Sequence, residues 1–290
     1  MNLRSPAVHA VKGLANQATP VPAQPAARLR ASVHLNRLSA LLRIGLLLWR
    51  TLLHVLRGVA ICVVVFPFVG AAARRRHITQ WTRQMLAVLG VRLVVNGTAA
   101  SGRVLLCANH VSWLDILVIQ AVVSARFVSK SEVQRWPLVG RLATAASTLF
   151  VVRSRRRDAV RVLHDVTVAL SEGTIVAVFP EGTTGSGRVL LPFHANLMQA
   201  AIVAQASIQA VALRFSDRQD RFSSAATFVG ATTLVGSLGR IATADGLTAH
   251  LTLLPAIDVN GAGRRALAAV TREQIQRVLD DTCAGAEVPR

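Results

Sequence analysis

The sequence predicts an α/β domain, a mixed sheet flanked by helices, preceded by an N-terminal membrane-associated helical segment. Three observations lead there. Beyond Gly90, short apolar runs of strand length alternate with longer helical stretches, the pattern of a largely buried sheet. The chain is 52% hydrophobic but only 4% aromatic, without tyrosine, so its apolar content is mostly Ala, Val and Leu. That content suits buried strands and lipid-facing helices alike. Upstream, Leu38 to Ala73 is apolar yet interrupted by Arg43, Arg50, His54 and Arg57.

A chain of 290 residues holds one large domain or two small ones and can bury a sizeable core. We divide it at 1–36, 37–89 and 90–290. Residues 1–36 are rich in Ala, Pro and Arg, as in Thr19-Pro20-Val21-Pro22. They carry no hydrophobic period, so a disordered extension is expected. They do not read as a secretory signal, because the first apolar stretch begins late, near Leu38, and no small-residue cleavage pattern follows it.

The uncharged run from Gly58 to Ala73 is slightly short for a comfortable span, contains Pro67, and is followed at once by Arg74-Arg75-Arg76. Two arrangements fit. One is a single tilted span with its basic end in the cytoplasm. The other is a helical hairpin in one leaflet, its arginines reaching lipid phosphates. His77 to Leu89 reads as an amphipathic helix, with Trp81, Met85, Leu86 and Leu89 on one side and Gly90 as its stop.

Strands are then expected at Val91–Val95, Val104–Cys107, Arg126–Val128, Thr148–Val152, Ile175–Phe179, Ile208–Phe215 and His250–Leu254. Helices are expected at Trp113–Val123, Asp158–Leu170, His194–Gln205, Val229–Ala242 and Arg264–Asp281. No internal repeat is visible.

The net charge of +19, from 33 Lys+Arg against 14 Asp+Glu, favours an anionic partner, either nucleic acid or a membrane surface rich in acidic lipids. Cys62, Cys107 and Cys283 lie far apart, without disulfide or metal spacing. His54, His77, His164 and His250 likewise have no ligand spacing. No Gly-x-Ser-x-Gly nucleophile elbow occurs. The loop from Gly182 to Gly187 lacks the Gly-Lys-Ser/Thr ending of a nucleotide P-loop.

Chemistry concentrates in Asn109-His110-Val111-Ser112-Trp113-Leu114-Asp115. On one continuous helix His110 and Asp115 would stand about 140° apart. A strand ending near Cys107 and a helix starting at Trp113 would instead bend the chain between them. The carboxylate can then hold an imidazole nitrogen and leave the other to accept a proton. Ser112-Trp113-Leu114-Asp115 also fits a helix-capping pattern, so both readings stand at this level.

Three further blocks follow in order: Ser147-Thr148-Leu149-Phe150-Val151-Val152-Arg153, Phe179-Pro180-Glu181-Gly182-Thr183-Thr184 and Ile208-Gln209-Ala210-Val211-Ala212-Leu213-Arg214. Taken as an ordered set from about Gly90 to Pro255, these blocks resemble the membrane-bound glycerolipid acyltransferases related to 1-acylglycerol-3-phosphate acyltransferase. The resemblance implies that His110 is the base, paired with Asp115, and that it takes a proton from a lysolipid hydroxyl. That oxygen attacks an acyl thioester without a covalent acyl-enzyme.

It further implies acceptor binding by Lys130, Arg153, Glu181, Gly182 and Thr183, with the fourth block shaping a pocket. His194 matches a position that is often basic and reads as packing or head-group contact. Val152 and Thr184 depart from the acidic residue and the arginine that the family commonly carries there. No metal or cofactor is implied; acyl-coenzyme A or acyl carrier protein would serve as donor substrate. The expected partners are membrane lipids and a lysophospholipid acceptor, not nucleic acid. The expected place is the cytoplasmic face of a bacterial inner membrane. Phosphatidic acid formation is the leading product, acylation of a lyso-ornithine lipid the enzymatic alternative, and a nonenzymatic basic membrane-binding protein the alternative of another class.

Overall fold

The computed structural model describes residues 26–151 and 156–284. Of residues 1–40, only the helical backbone from Ala26 is described; residues 41–290 hold the domain. Helix α1 (Ala26–Ala60) begins ten residues before the expected end of the extension at residue 36. The physical reason lies in the composition after Pro25: Ala, Leu and Arg without Pro or Gly, all strong helix formers. Residues 1–25 lie outside the described residues.

After α1 the chain makes one π turn (Ile61–Val65) and one 3₁₀ turn (Phe66–Phe68) containing Pro67, then returns as α2 (Ala71–Val88). The two helices form a helical hairpin. They are tied reciprocally: Trp81 Nε1 donates to the His54 carbonyl at 3.1 Å, and His54 Nε2 bonds the Trp81 carbonyl at 3.0 Å. Gly58 allows this approach, since a Cβ there would lie 2.5 Å from Trp81 Nε1. Leu41–Phe68 is apolar and long enough to cross a membrane, and Leu42, Leu46 and Trp49 are exposed.

The domain is a three-layer sandwich. Seven strands, β1 (Arg92–Asn96), β2 (Val104–Ala108), β3 (Arg126–Lys130), β4 (Leu149–Val151), β5 (Val176–Val178), β6 (Ser207–Ser216) and β7 (Thr248–Ile257), form one sheet in the order β1-β7-β6-β2-β5-β3-β4. Strands β2 to β6 run parallel, and only β6 and β7 pair antiparallel. Strand β2 is central and fully buried. Its alternate residues serve opposite layers. Val104, Leu106 and Ala108 join the core under α2 and α3 (Leu114–Val122). Leu105 and Cys107 join the core under α6 (Arg156–Ser171), α7 (Met198–Ala204) and α9 (Arg264–Ala284).

Two short helices, α4 (Ser131–Gln134) and α5 (Val139–Ala145), fill a stretch left unassigned from the sequence. Helix α8 (Leu234–Thr243) starts five residues after the expected Val229, because Thr233 caps it by accepting from the Gly236 amide at 3.1 Å.

His250 of β7 lies 2.8 Å from Ser216 Oγ. Burial, and then the Arg214 guanidinium, lower its pKa from 6.5 to about 4. Between these values the unfolded chain binds a proton that the folded chain does not, so stability rises with pH across this window. The thermal midpoint is expected to fall as pH drops from 6.5 toward 4, and to fall less steeply in His250→Asn. Identical slopes for both proteins would refute this assignment.

Candidate active site

Parallel strands of an open α/β sheet present their following loops at one edge, where ligands bind. Here β2, β5 and β3 end at that edge, and they are followed or closed by His110, Glu181 and Lys130 respectively. Strand β4 ends there as well; Arg153, two residues further on, lies outside the described residues.

The turn after β2 is built by hydrogen bonds to one atom. Asp115 Oδ2 accepts from His110 Nδ1 at 2.8 Å, from the Val111 amide at 2.6 Å and from the Ser112 amide at 2.9 Å. The carboxylate therefore does both jobs that the sequence left open. It reaches back from the first turn of α3 to amides ahead of the helix, as the acidic member of a capping box does. It also takes the imidazole. The hydroxyl half of the box is not formed: Ser112 Oγ is buried and makes no hydrogen bond.

With Nδ1–H donated to Asp115, the Nε2 lone pair of His110 is left to act on a substrate. The imidazole stacks on Phe179, with ring centroids 3.9 Å apart and planes at 11°. Its side chain is 19% exposed, against 0% for Asp115. The imidazole is thus reachable, and the carboxylate that holds it is sealed.

Backbone contacts brace the same turn from three other elements. Asn109 Nδ2 donates to the Leu213 carbonyl at 2.9 Å and Oδ1 accepts from the Leu213 amide at 2.7 Å, which extends the β2–β6 ladder by one side chain. Glu181 Oε1 accepts from the His110 amide at 2.7 Å, and Oε2 from the Leu191 amide at 2.9 Å. The Gly185 amide donates to the His110 carbonyl at 2.7 Å, and the Phe228 amide to the Val111 carbonyl at 3.1 Å. Burial raises the pKa of Glu181, while these two amides and the neighbouring His110 oppose that rise.

The residues expected to bind substrate are thus unevenly placed. Glu181 is buried, with both oxygens turned to backbone amides. Gly182, at φ 71°, lies against His194: a Cβ there would be 3.3 Å from the ring. Thr183, Lys130 and His194 are exposed. Sequence reasoning missed Asn109, Phe179 and Phe228 as holders of the base. The last two act through a ring face and a peptide group, which no residue spacing encodes. Among the described residues no cluster of three His, Cys, Asp or Glu side chains could hold a metal. Two hollows, of about 660 Å³ beside Arg103 and Asp258 and about 360 Å³ beside Arg214 and His250, are not lined by the base or its partners.

Known proteins resemble this chain in sequence and in fold. The family model described as acyltransferase matches residues 91–214. A lyso-ornithine lipid O-acyltransferase of Pseudomonas aeruginosa is 34% identical over 267 residues, which cover 91% of this chain and 99% of that protein. A 1-acyl-sn-glycerol-3-phosphate acyltransferase of Neisseria meningitidis is 42% identical over 147 residues, covering 50% of this chain and 58% of its own length. The crystal structure of the 1-acyl-sn-glycerophosphate acyltransferase from Thermotoga maritima shares the fold, with a TM-score of 0.66 at 17% identity over 88% of this chain and 99% of that one. A relative 34% identical and matched along nearly the whole of both chains shows the family, and the family model agrees: the chain belongs to the acyltransferase family.

Proposed function

We propose that this acyltransferase moves a fatty acyl group from an acyl thioester to a free hydroxyl of a lysolipid, with His110 as the base. The observation that carries the mechanism is the single bond of His110 Nδ1 to the buried Asp115 carboxylate. The neutral imidazole accepts the hydroxyl proton at Nε2 as the acceptor oxygen bonds to the thioester carbonyl carbon. Asp115 stabilises the resulting imidazolium without taking the proton itself. The tetrahedral intermediate collapses, the C–S bond breaks, and the departing thiolate takes the proton back from Nε2. Coenzyme A and acyl carrier protein present the same thioester, so either supplies the acyl group.

For the acceptor, 1-acyl-sn-glycerol-3-phosphate is the leading reading. The basic chain places Lys130 at the active edge, beside the end of the strand that leads to Arg153. Charge-assisted bonds from such residues suit a phosphate. The lyso-ornithine lipid reading is favoured by the relative from Pseudomonas aeruginosa. Glu181 would serve either acceptor indirectly, by holding the His110 peptide.

The exposed apolar face of α1 suits membrane association. We place the hairpin at the cytoplasmic leaflet of a bacterial inner membrane, where acyl thioesters are available. A lysolipid can then react without lifting its chain into water, at about 0.8 kcal/mol per methylene.

Replacing His110 by Ala is expected to cut transfer by roughly 10²- to 10⁴-fold with the fold kept. Asp115→Asn should also impair it, through the wrong tautomer. Both are checked with purified protein, a panel of lysolipids and both donor types; full activity in either variant removes the mechanism. In Glu181→Gln, an amide N–H₂ would face a backbone N–H where an oxygen now accepts. Leaving such a buried donor unmatched costs about 1–3 kcal/mol. The expected result is a fall in kcat with the acceptor KM little changed; a rise in KM alone would restore a direct substrate contact. Finally, Leu42→Glu, Leu46→Glu and Trp49→Glu together should release the folded protein from lipid vesicles, read by flotation. Unchanged vesicle binding would rule out α1 as the anchor.

A further inference from the structure

The segment between β6 and α8 lies against the base's turn, and its contacts do not depend on the triple acceptance at Asp115. Its Phe228 amide donates to the Val111 carbonyl, one residue from the base. The Phe228 carbonyl in turn accepts from Thr184 Oγ1. One residue thus bridges the loop after β5 and the turn after β2 through its N–H and its C=O. The loop crosses that turn closely: Gly187 has φ 77°, and a Cβ there would sit 3.0 Å from Val111 Cγ2. From behind, Arg240 of α8 donates to the Thr227 carbonyl at 2.7 Å, and Trp113 Nε1 donates to Ser237 Oγ at 3.1 Å.

This corner is uncharged. No Asp, Glu, Lys, Arg or His occurs from Ser223 to Gly239, or from Gly182 to Gly187. The arginines that directly follow these two stretches are engaged, Arg188 with Asp220 and Arg240 with the Thr227 carbonyl. What the segment exposes is uncharged: Val229, Leu234 and Val235 are 41%, 37% and 63% accessible, and Ser224 and Thr233 are exposed beside them. The exposed cation Lys130 stands on β3, beyond β5 as seen from β2. The active edge is therefore polarised, with the exposed cation Lys130 at β3 and an uncharged stretch at residues 223–239, beyond the charged stretch 217–221 that follows β6.

We propose that residues 227–235 are the wall that receives the uncharged part of the acceptor, and that Thr184 sets acceptor selectivity by latching this wall to the catalytic turn. The proposal rests on the lysolipid reading above and deepens it. An acceptor hydroxyl within reach of His110 Nε2 must lie about 3 Å from it, so the acceptor's next atoms fall close to a segment bonded to residue 111. A threonine here holds the segment by its hydroxyl and contributes no charge. An ionic head group finds the exposed cation Lys130 on the β3 side.

The test compares Thr184→Ser, Thr184→Val and Thr184→Arg with the wild type, using 1-oleoyl-sn-glycerol-3-phosphate and a phosphate-free lysolipid. Val keeps the shape of Thr and loses the hydroxyl; Ser keeps the hydroxyl. Amide hydrogen exchange across 223–235 reads the latch without reference to activity, and the thermal midpoint reads the fold. In Thr184→Val, exchange in the segment should accelerate and the acceptor KM rise roughly 2- to 10-fold, in line with one lost hydrogen bond. The kcat should fall less, and Thr184→Ser should restore both readouts. Thr184→Arg should raise the ratio of kcat/KM for phosphate-bearing over phosphate-free acceptor by about tenfold or more. Wild-type exchange and KM in Thr184→Val, or a Ser variant that behaves like Val, overturns the proposal. A wild-type protein that acylates neither lysolipid overturns the functional reading and the selectivity role with it. The two failures are distinct, because in the first the wild type is active.

Discussion

One carboxylate oxygen organises the catalytic end of this molecule. Asp115 Oδ2 accepts three hydrogen bonds, two from amides of the turn and one from the imidazole. A carboxylate with no exposed surface is costly unless it is well supplied with donors; the turn supplies three, all to Oδ2, while Oδ1 is buried without a hydrogen-bond partner. The same bonds that make burial tolerable bend the chain between β2 and α3. Without that bend, a spacing of five residues would turn the two side chains away from each other. Helix capping and orientation of the base are one interaction here: the amides fix the carboxylate, and the fixed carboxylate fixes the ring.

A base that must not reorganise during reaction gains from supports outside its own turn. The peptide of His110 has them on both sides, its N–H held by Glu181 and its carbonyl by Gly185. Asn109 locks the preceding residue to β6, and Phe179 covers one face of the ring. These supports come from the two strands that flank β2 in the sheet and the residues following them. Parallel topology makes this possible. Strands running the same way bring segments distant in sequence, such as the loops at residues 110 and 181 and Leu213 of β6, to one edge. The loop after β5 is thus better described as a brace for the base than as a row of free ligands, at least for its buried member Glu181.

The fold was legible where burial on both faces writes a continuous apolar run, as in Val104–Cys107, or where alternation continues over a helix, as in α9. It was illegible in 131–146. There Trp136-Pro137 and the positive φ of Leu138, at 64°, divide the chain into helices of four and seven residues, too short to show a period. The helix that replaces the expected His194–Gln205 opens as a 3₁₀ turn at Ala195–Leu197 and closes at Gln205 in the left-handed region, φ 48°. In the site, the His110–Asp115 pair could be read from spacing, because both partners are side chains. The bracing could not be. Its donors and acceptors are largely peptide groups of Leu191, Leu213 and Phe228, which any residue type would supply.

The helical hairpin is joined to this centre through α3. Arg83 of α2 donates to the Ala121 carbonyl near the C-terminal end of α3 at 2.7 Å, and Leu47, Met85 and Leu86 share one core with Leu114 and Val118. The residue that orients the base sits in the first turn of the same helix. Whatever surface the exposed face of α1 rests on, the height of His110 above it is set by packing within one continuous core rather than by a flexible tether. A soluble enzyme would gain nothing from that coupling. For one whose acceptor is anchored by its own acyl chain, the level of the base relative to the lipid decides which hydroxyl comes within reach. The arginines between the apolar residues of α1, and Arg74–Arg76 at the turn into α2, would then act as depth markers, since their charges are costly inside hydrocarbon and favoured at the phosphate level. On the membrane reading proposed above, depth would be specified by charge, carried by packing, and delivered to His110 through α3.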